Sequence, residues 1–279
     1  MKRSFLIIAL LTITLLQVGC ENTVEPISAE REDTVALYGI LDMRSNQQIV
    51  RVEALRSTIL SDDDGLDGVR VRSIVVGSGT FQEWRDSTGT DEVGNPVSLY
   101  VSDFRPEAGA TYRLAVTRED QILAEAITTV PAAPGLLIDP AVGDESSLAQ
   151  TVYLRDMNGA PQGITVSYTM IDMDLGNPVT IPVSYGQIVE TPVTQLNFDV
   201  TYWSDRFVVM NALGRDIDEP GVQLQRIELS FDLPSPEWAD VESSNLLDGL
   251  GFFASIGRYS YSWLLDDQSV ATMGWIDAQ

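Results

Sequence analysis

The tightest constraint in this chain is a period of two. From residue 35 onward, short runs rich in β-branched residues alternate apolar with polar, and no long stretch keeps a helical apolar spacing. Such a run can bury one face of a strand but offers a helix no stripe to bury. Runs of this kind fall at 35–41, 49–55, 69–76, 79–84, 97–101, 111–117 and 121–130. Residues that favour turns separate them, at 42–47, 61–68, 86–96, 105–109 and 118–120. Seven strands in about a hundred residues match the count and spacing of an immunoglobulin-like sandwich.

One segment sharpens that expectation. Pro106 and Gly109 make a turn, Tyr112 follows, and Leu114 and Val116 alternate after it. This resembles the tyrosine corner of such sandwiches, where a Tyr at the start of strand F turns its hydroxyl back onto the loop backbone. Pro131 and Pro134 then bracket two alanines, the composition of a short, stiff, extended linker. A second β-rich stretch follows, with strands expected at 148–154, 163–170, 192–201, 206–212, 222–233, 258–265 and 270–276. Between them, 234–250 reads as a loop with a short helical turn. The expected fold class is therefore all-β: an N-terminal immunoglobulin/fibronectin-III-like sandwich over 34–131, a linker over 132–135, and a second antiparallel β-rich domain over 136–279.

The first 19 residues carry a different signal. Lys2 and Arg3 precede an apolar run over 5–16, interrupted only by Thr12 and Thr14. That run is too short for a membrane helix, which needs roughly 20 apolar residues. It fits the core of a secretory signal peptide. Gly19 and Cys20 follow, and Cys20 is the chain's single cysteine. A cysteine at the cleavage point reads as the acylation site of a bacterial lipoprotein, although Gln17 stands where Leu is usual. Cys20 would carry the lipid that holds the protein to a membrane, since several acyl chains anchor firmly where one does not. The polar stretch 20–33 then reads as a tether. The expected location is the outer membrane, on either face.

Composition narrows the chemistry. The chain has formal net charge −24, and losing Lys2 and Arg3 with the leader makes it −26 (−24 − 2), with no lysine left. So acidic a body repels nucleic acid, which is excluded as a partner. It also suits a protein adapted to high salt, and equal stability with and without molar salt would sink that idea. The sequence has no His, which removes serine triads and His-based metal sites. With Cys20 acylated and no mature lysine, thiol and Schiff-base chemistry go too. Carboxylate chemistry and oxygen-ligand metals remain.

The candidate sites follow from that remainder, and no catalytic residue is assigned. Asp62, Asp64 and Asp67 lie in the densest acid cluster, over 61–68, with Gly65 and Gly68. Calcium favours several oxygens on a tight turn, although three consecutive acids diverge and no bidentate Glu follows at the usual distance. A solvated hairpin loop is the alternative. Asp172 and Asp174 would share a strand face and could hold a cation or act as a carboxylate pair; polar residues at a strand end are the plainer reading. Asn245, Gly249, Gly251, Phe252 and Phe253 form a segment with freedom for positive φ and two adjacent aromatics. It reads either as a partner or ligand loop or as a turn locked against a core. Tyr259, Tyr261 and Trp263 alternate and would line one strand face, as a sugar platform or as sheet core.

Several of these pieces together resemble a family of Bacteroidota lipoproteins of unknown function, often encoded beside TonB-dependent outer-membrane receptors. The matching features are the leader's Cys20, the early strand Ala36-Leu37-Tyr38-Gly39-Ile40-Leu41 and the Gly-x-x-Tyr-x-Leu-x-Val pattern from Gly109 to Val116. They continue with the Val130-Pro131 pair and the Asn245 to Phe253 segment. The resemblance implies an outer-membrane-associated β protein in two parts and brings no catalytic residues. The function it suggests is a non-enzymatic accessory to a TonB-dependent receptor in binding or importing a nutrient. A glycan-binding or carboxylate-dependent glycan-hydrolysing surface protein and a structural or adhesive protein stand as alternatives.

Overall fold

The structure is a computed structural model. It describes residues 35–55, 66–90, 96–173, 176–186, 194–217, 221–239 and 245–277. Cys20, the tether, Asp62, Asp64 and Asp174 lie outside the described residues.

The chain is all-β in its main elements. The first part divides as the period of two requires. Strands β1 (Val35–Asp42), β2 (Gln48–Ala54), β5 (Arg85–Thr90) and β6 (Pro96–Ser102) hydrogen-bond in the order β1-β2-β6-β5. Strands β3 (Val69–Val75), β4 (Phe81–Glu83), β7 (Thr111–Arg118) and β8 (Gln121–Thr129) form the opposing sheet in the order β8-β7-β3-β4. With β1 as strand A, this is the ABED and CFG partition of an immunoglobulin-like sandwich. Val35, Leu37, Val50 and Val52 from one sheet meet Val71, Leu114 and Val116 from the other to build the first core. The tyrosine corner is in place: the Glu107 N–H donates to the Tyr112 hydroxyl at 3.0 Å.

The second part joins this sandwich edge to edge. Strand β1 pairs in parallel with β16 (Leu250–Trp263), Ala36 opposite Leu250 through Asp42 opposite Ile256. The sheet runs on from β16 through β14 (Val222–Pro234), β11 (Gln162–Asp172) and β12 (Pro178–Gly186), each antiparallel to the one before it. With the short β17 (Ile276–Asp277), it is nine-stranded among the described residues. A separate sheet of β9 (Gly135–Ile138), β10 (Ala149–Arg155) and β13 (Gln195–Thr201), in the order β13-β10-β9, faces its second half. Between them lies a second core of Val152, Leu154, Tyr168, Met170, Ile227, Leu229 and neighbours. The residues from Asp33 to Gln279 form one compact unit.

Two features hold the halves together. Gly251, at φ +106°, lies so close to β1 that a Cβ there would stand 2.1 Å from the Leu37 carbonyl oxygen. Phe253, two residues on, is fully buried in the first core although it belongs to the second half. The proline stretch expected as a spacer is docked instead. Tyr259 donates its hydroxyl to the Pro131 carbonyl, and Tyr261 donates to the Pro134 carbonyl at 2.5 Å. Those phenols satisfy carbonyls at buried prolines.

Two expected strands are helices. Residues 206–212 lie in α1 (Tyr202–Leu213), and 270–276 overlap α3 (Asp267–Thr272). Helix α1 buries Tyr202, Asp205, Arg206, Val209 and Met210, a spacing of three and four residues, and ends at Gly214 in the left-handed region. Two of those five positions are charged, which hides the period from an apolar reading. Inside, Asp205 accepts from Tyr168 and Tyr185, while Arg206 donates to the Ile217 carbonyl and faces Glu145 at 3.6 Å. The helical turn expected within 234–250 is α2 (Pro236–Ala239).

Candidate interaction face

The two covering sheets lie on the same side of the long sheet. On β16, Phe253 belongs to the first core, Tyr259 to the second, and Tyr261 and Trp263 pack against the second, so the odd positions all point one way. The even positions therefore point the other way, along with Tyr38, Ile40 and Asp42 on β1. This outward face has three zones.

The first zone is apolar. Tyr38 meets Phe252 edge-on, with ring centroids 5.9 Å apart. Ile49, across from Ile40, is 47% exposed, and Tyr38 is 40% exposed. Leu99 and Val101 continue the zone on β6, opposite Arg51 and Ile49.

The second zone is an ion network across the junction of the halves. The Arg258 guanidinium donates to Asp42 through Nε at 3.0 Å and Nη2 at 3.1 Å, and to Asp232 through Nη1 at 2.9 Å. Arg44 reaches Asp232 at 3.0 Å. Burial works to raise the Asp42 carboxyl. The hydrogen bonds from Arg258 and the Arg44 N–H, with the charges of both arginines, outweigh it and hold the group below the ordinary carboxylate range.

The third zone consists of hydroxyl rows. Ser184, Thr165, Ser230 and Ser260 stand opposite one another across β12, β11, β14 and β16. The next row is Pro182, Ser167, Glu228 and Ser262, and beyond it lie Thr180, Thr169 and Arg226. Thr169 and Thr180 hydrogen-bond at 3.1 Å, and Arg226 pairs with Glu228 at 3.4 Å. Ser184, Ser260 and Ser262 are exposed.

The residues singled out from sequence are dispersed. The side chain of Asn245 donates to the Phe253 carbonyl at 2.8 Å and accepts from its N–H at 2.9 Å. Gly249 packs so that a Cβ would lie 2.7 Å from that of Ala124. Together with Gly251 and Phe253 they clasp β16 to the first sandwich, and of the five only Phe252 lies on the outward face. Asp67 sits exposed in the turn before β3. Among the described residues no group of three or more carboxylates could hold a metal ion. Asp172 is buried and held at both oxygens by Arg215, at 2.7 and 2.5 Å. The sugar platform is overturned: Tyr259, Tyr261 and Trp263 face inward, where Trp263 donates to Gln150 at 2.9 Å.

Two other places hold chemistry-bearing groups. Asp205 lies in the second core between the phenols of Tyr168 and Tyr185, the latter at 2.7 Å. Burial raises its carboxyl above the ordinary value, against both hydrogen bonds. Tyr168 and Asp205 are sealed from solvent, so the cluster serves the core. A recess of about 370 Å³ opens at the edge of the first sandwich, where Trp84 and Tyr100 form the floor and Arg70, Arg72, Glu83 and Asp86 the rim.

Comparison with known proteins adds little. No family model matches the chain, and no curated protein matches it. Among solved structures it is similar to a two-domain fibronectin type-III segment of chicken tenascin, with 12% identity over 82% of this chain and 96% of that one, at a TM-score of 0.19. It is also similar to bovine butyrophilin, with 13% identity over 71% of this chain and 91% of that one, at a TM-score of 0.22. The sandwich assignment stands on the chain's own strand order and on the Tyr112 corner.

Proposed function

We propose that this is a non-enzymatic binding protein of the cell envelope, anchored through lipid on Cys20 and accessory to a TonB-dependent receptor in capturing a nutrient. One observation carries the reading: a single continuous sheet turns one broad face outward, while buried ionisable groups such as Asp172 and Asp205 are held inside the fold. A protein that presents a surface rather than a reactive cleft suits binding. The apolar zone around Tyr38, Ile49 and Leu99 has the character of an interface centre, with the Arg258 network at its rim. Among the described residues no helix is long and apolar enough to cross a membrane. Attachment in this reading comes from the leader's cysteine.

The test is purification of the tagged protein from native membranes with mass spectrometry of its N-terminus. The expected result is an acylated Cys20 and a co-purifying receptor, lost in the Tyr38→Asp, Ile49→Asp variant. An unacylated Cys20 would overturn the anchor, and recovery without a receptor across several growth substrates would overturn the partnership. The immunoglobulin-like sandwich also favours a second reading, a structural or adhesive surface protein. Equal retention of wild type and this variant on whole cells, with no receptor recovered, would support it.

A further inference from the structure

We propose that the hydroxyl rows of the outward face bind a neutral polysaccharide chain. This rests on the reading of the protein as a binder, and not on its anchor or its receptor. Eight hydroxyls lie on one side of four adjacent strands: Thr180 and Ser184 on β12; Thr165, Ser167 and Thr169 on β11; Ser230 on β14; Ser260 and Ser262 on β16. Neighbours stand about 4.8 Å apart across strands and about 6.7 Å apart along them, so donors and acceptors recur on a regular grid.

The chemistry of that grid selects its ligand. The chain has net charge −24, yet the charges in this zone cancel: Arg226 pairs with Glu228, and Arg258 and Arg44 balance Asp232 and Asp42. A nucleic acid or other polyanion needs a basic surface, and the zone has none to spare. A protein partner favours an apolar or aromatic centre, which lies in the Tyr38 zone instead. A membrane surface calls for apolar insertion with cationic flanks. Each serine or threonine both donates and accepts a hydrogen bond, as does each hydroxyl of a sugar. An uncharged polyol repeating along its own length matches rows that repeat along the strands.

The test uses the full mature chain carrying Cys20→Ser, run by affinity electrophoresis through gels containing a soluble neutral glucan, a neutral mannan or an anionic polygalacturonate. The variants are Thr165→Arg with Ser260→Arg, and Phe81→Asp, exposed on β4 of the opposing sheet, as a control outside the grid. We expect retardation by a neutral polymer and none by the anionic one. The double variant should bind about tenfold more weakly, the equivalent of one or two lost hydrogen bonds, and Phe81→Asp should bind as wild type does. An unchanged melting temperature will show that the double variant is folded. Retardation by neither neutral polymer would overturn the inference. So would equal binding of polygalacturonate, undiminished binding by the double variant, or concentration-dependent self-association that the double variant abolishes. Each of these leaves the receptor test untouched, and a missing receptor leaves this one standing.

Discussion

Tyr112 is the residue whose role was most legible in advance, and its test is direct. Its hydroxyl accepts from the Glu107 N–H at 3.0 Å while its ring is buried. Tyr112→Phe keeps the ring and loses the bond, so urea denaturation should show a loss of about 1 kcal/mol. Asp205 behaves differently. Its folded carboxyl lies above the ordinary value of 3.8, so its contribution to stability is fully present below that value and is lost as pH rises through the folded value. Asp205→Asn keeps an acceptor for Tyr168 and Tyr185 and removes the charge. Thermal melts should show a flatter pH profile and no loss near neutral pH. Asp205→Ala strands both phenols and should cost about 1–3 kcal/mol. Asp42 has the opposite sign: its carboxyl is held low, so its contribution is present above 3.8 and is lost as pH falls through the folded value. Arg258→Met should reduce that acid-side loss, leaving the part owed to the Arg44 N–H and charge, read as the difference between acid melting curves of variant and wild type.

Strand β16 is the element that organises the molecule, and Gly251 sets its approach to β1. Gly251→Ala would place a methyl against the Leu37 carbonyl at 2.1 Å in addition to the strain of positive φ. It should cost about 3 kcal/mol. Gly221 has nearly the same φ, +105°, but a Cβ there would meet its nearest neighbour, the Arg215 guanidinium, at an ordinary contact distance of 3.8 Å. Gly221→Ala should therefore cost clearly less, and equal losses in chemical denaturation would show that conformation, rather than close approach, sets the penalty. The same scale explains where the pattern of residues misled. Helix α1 contains Trp203, Phe207 and Val208, residues that alternate poorly but favour strands. Its inward face includes Asp205 and Arg206, which only a partner such as Tyr185 or Glu145 makes tolerable inside.

At the scale of the whole molecule, the boundary near residue 131 separates two cores but not two independent bodies. Phe253 fills the first core, β15 (Leu246–Leu247) extends the sheet of β8, and Tyr259 and Tyr261 hold the proline stretch. Calorimetry of the mature protein should show one cooperative transition, and residues 34–131 expressed alone should lack a native near-ultraviolet spectrum. Two separable transitions would show that the shared sheet couples the halves only weakly.

The sequence by itself determined the all-β class, the strand count and spacing of the first sandwich and the Tyr112 corner, because these depend on local alternation and turn chemistry that any short window contains. It also placed Tyr259, Tyr261 and Trp263 on one face and Ser260 and Ser262 on the other. Which face was buried was decided only by tertiary structure. A period of two defines two sides and is silent about which one meets the second sheet. The parallel junction of β1 with β16 was hidden for a related reason. The partners lie more than two hundred residues apart, and the close approach of their backbones depends on the side chain that Gly251 lacks, a feature with nothing in a local pattern to announce it.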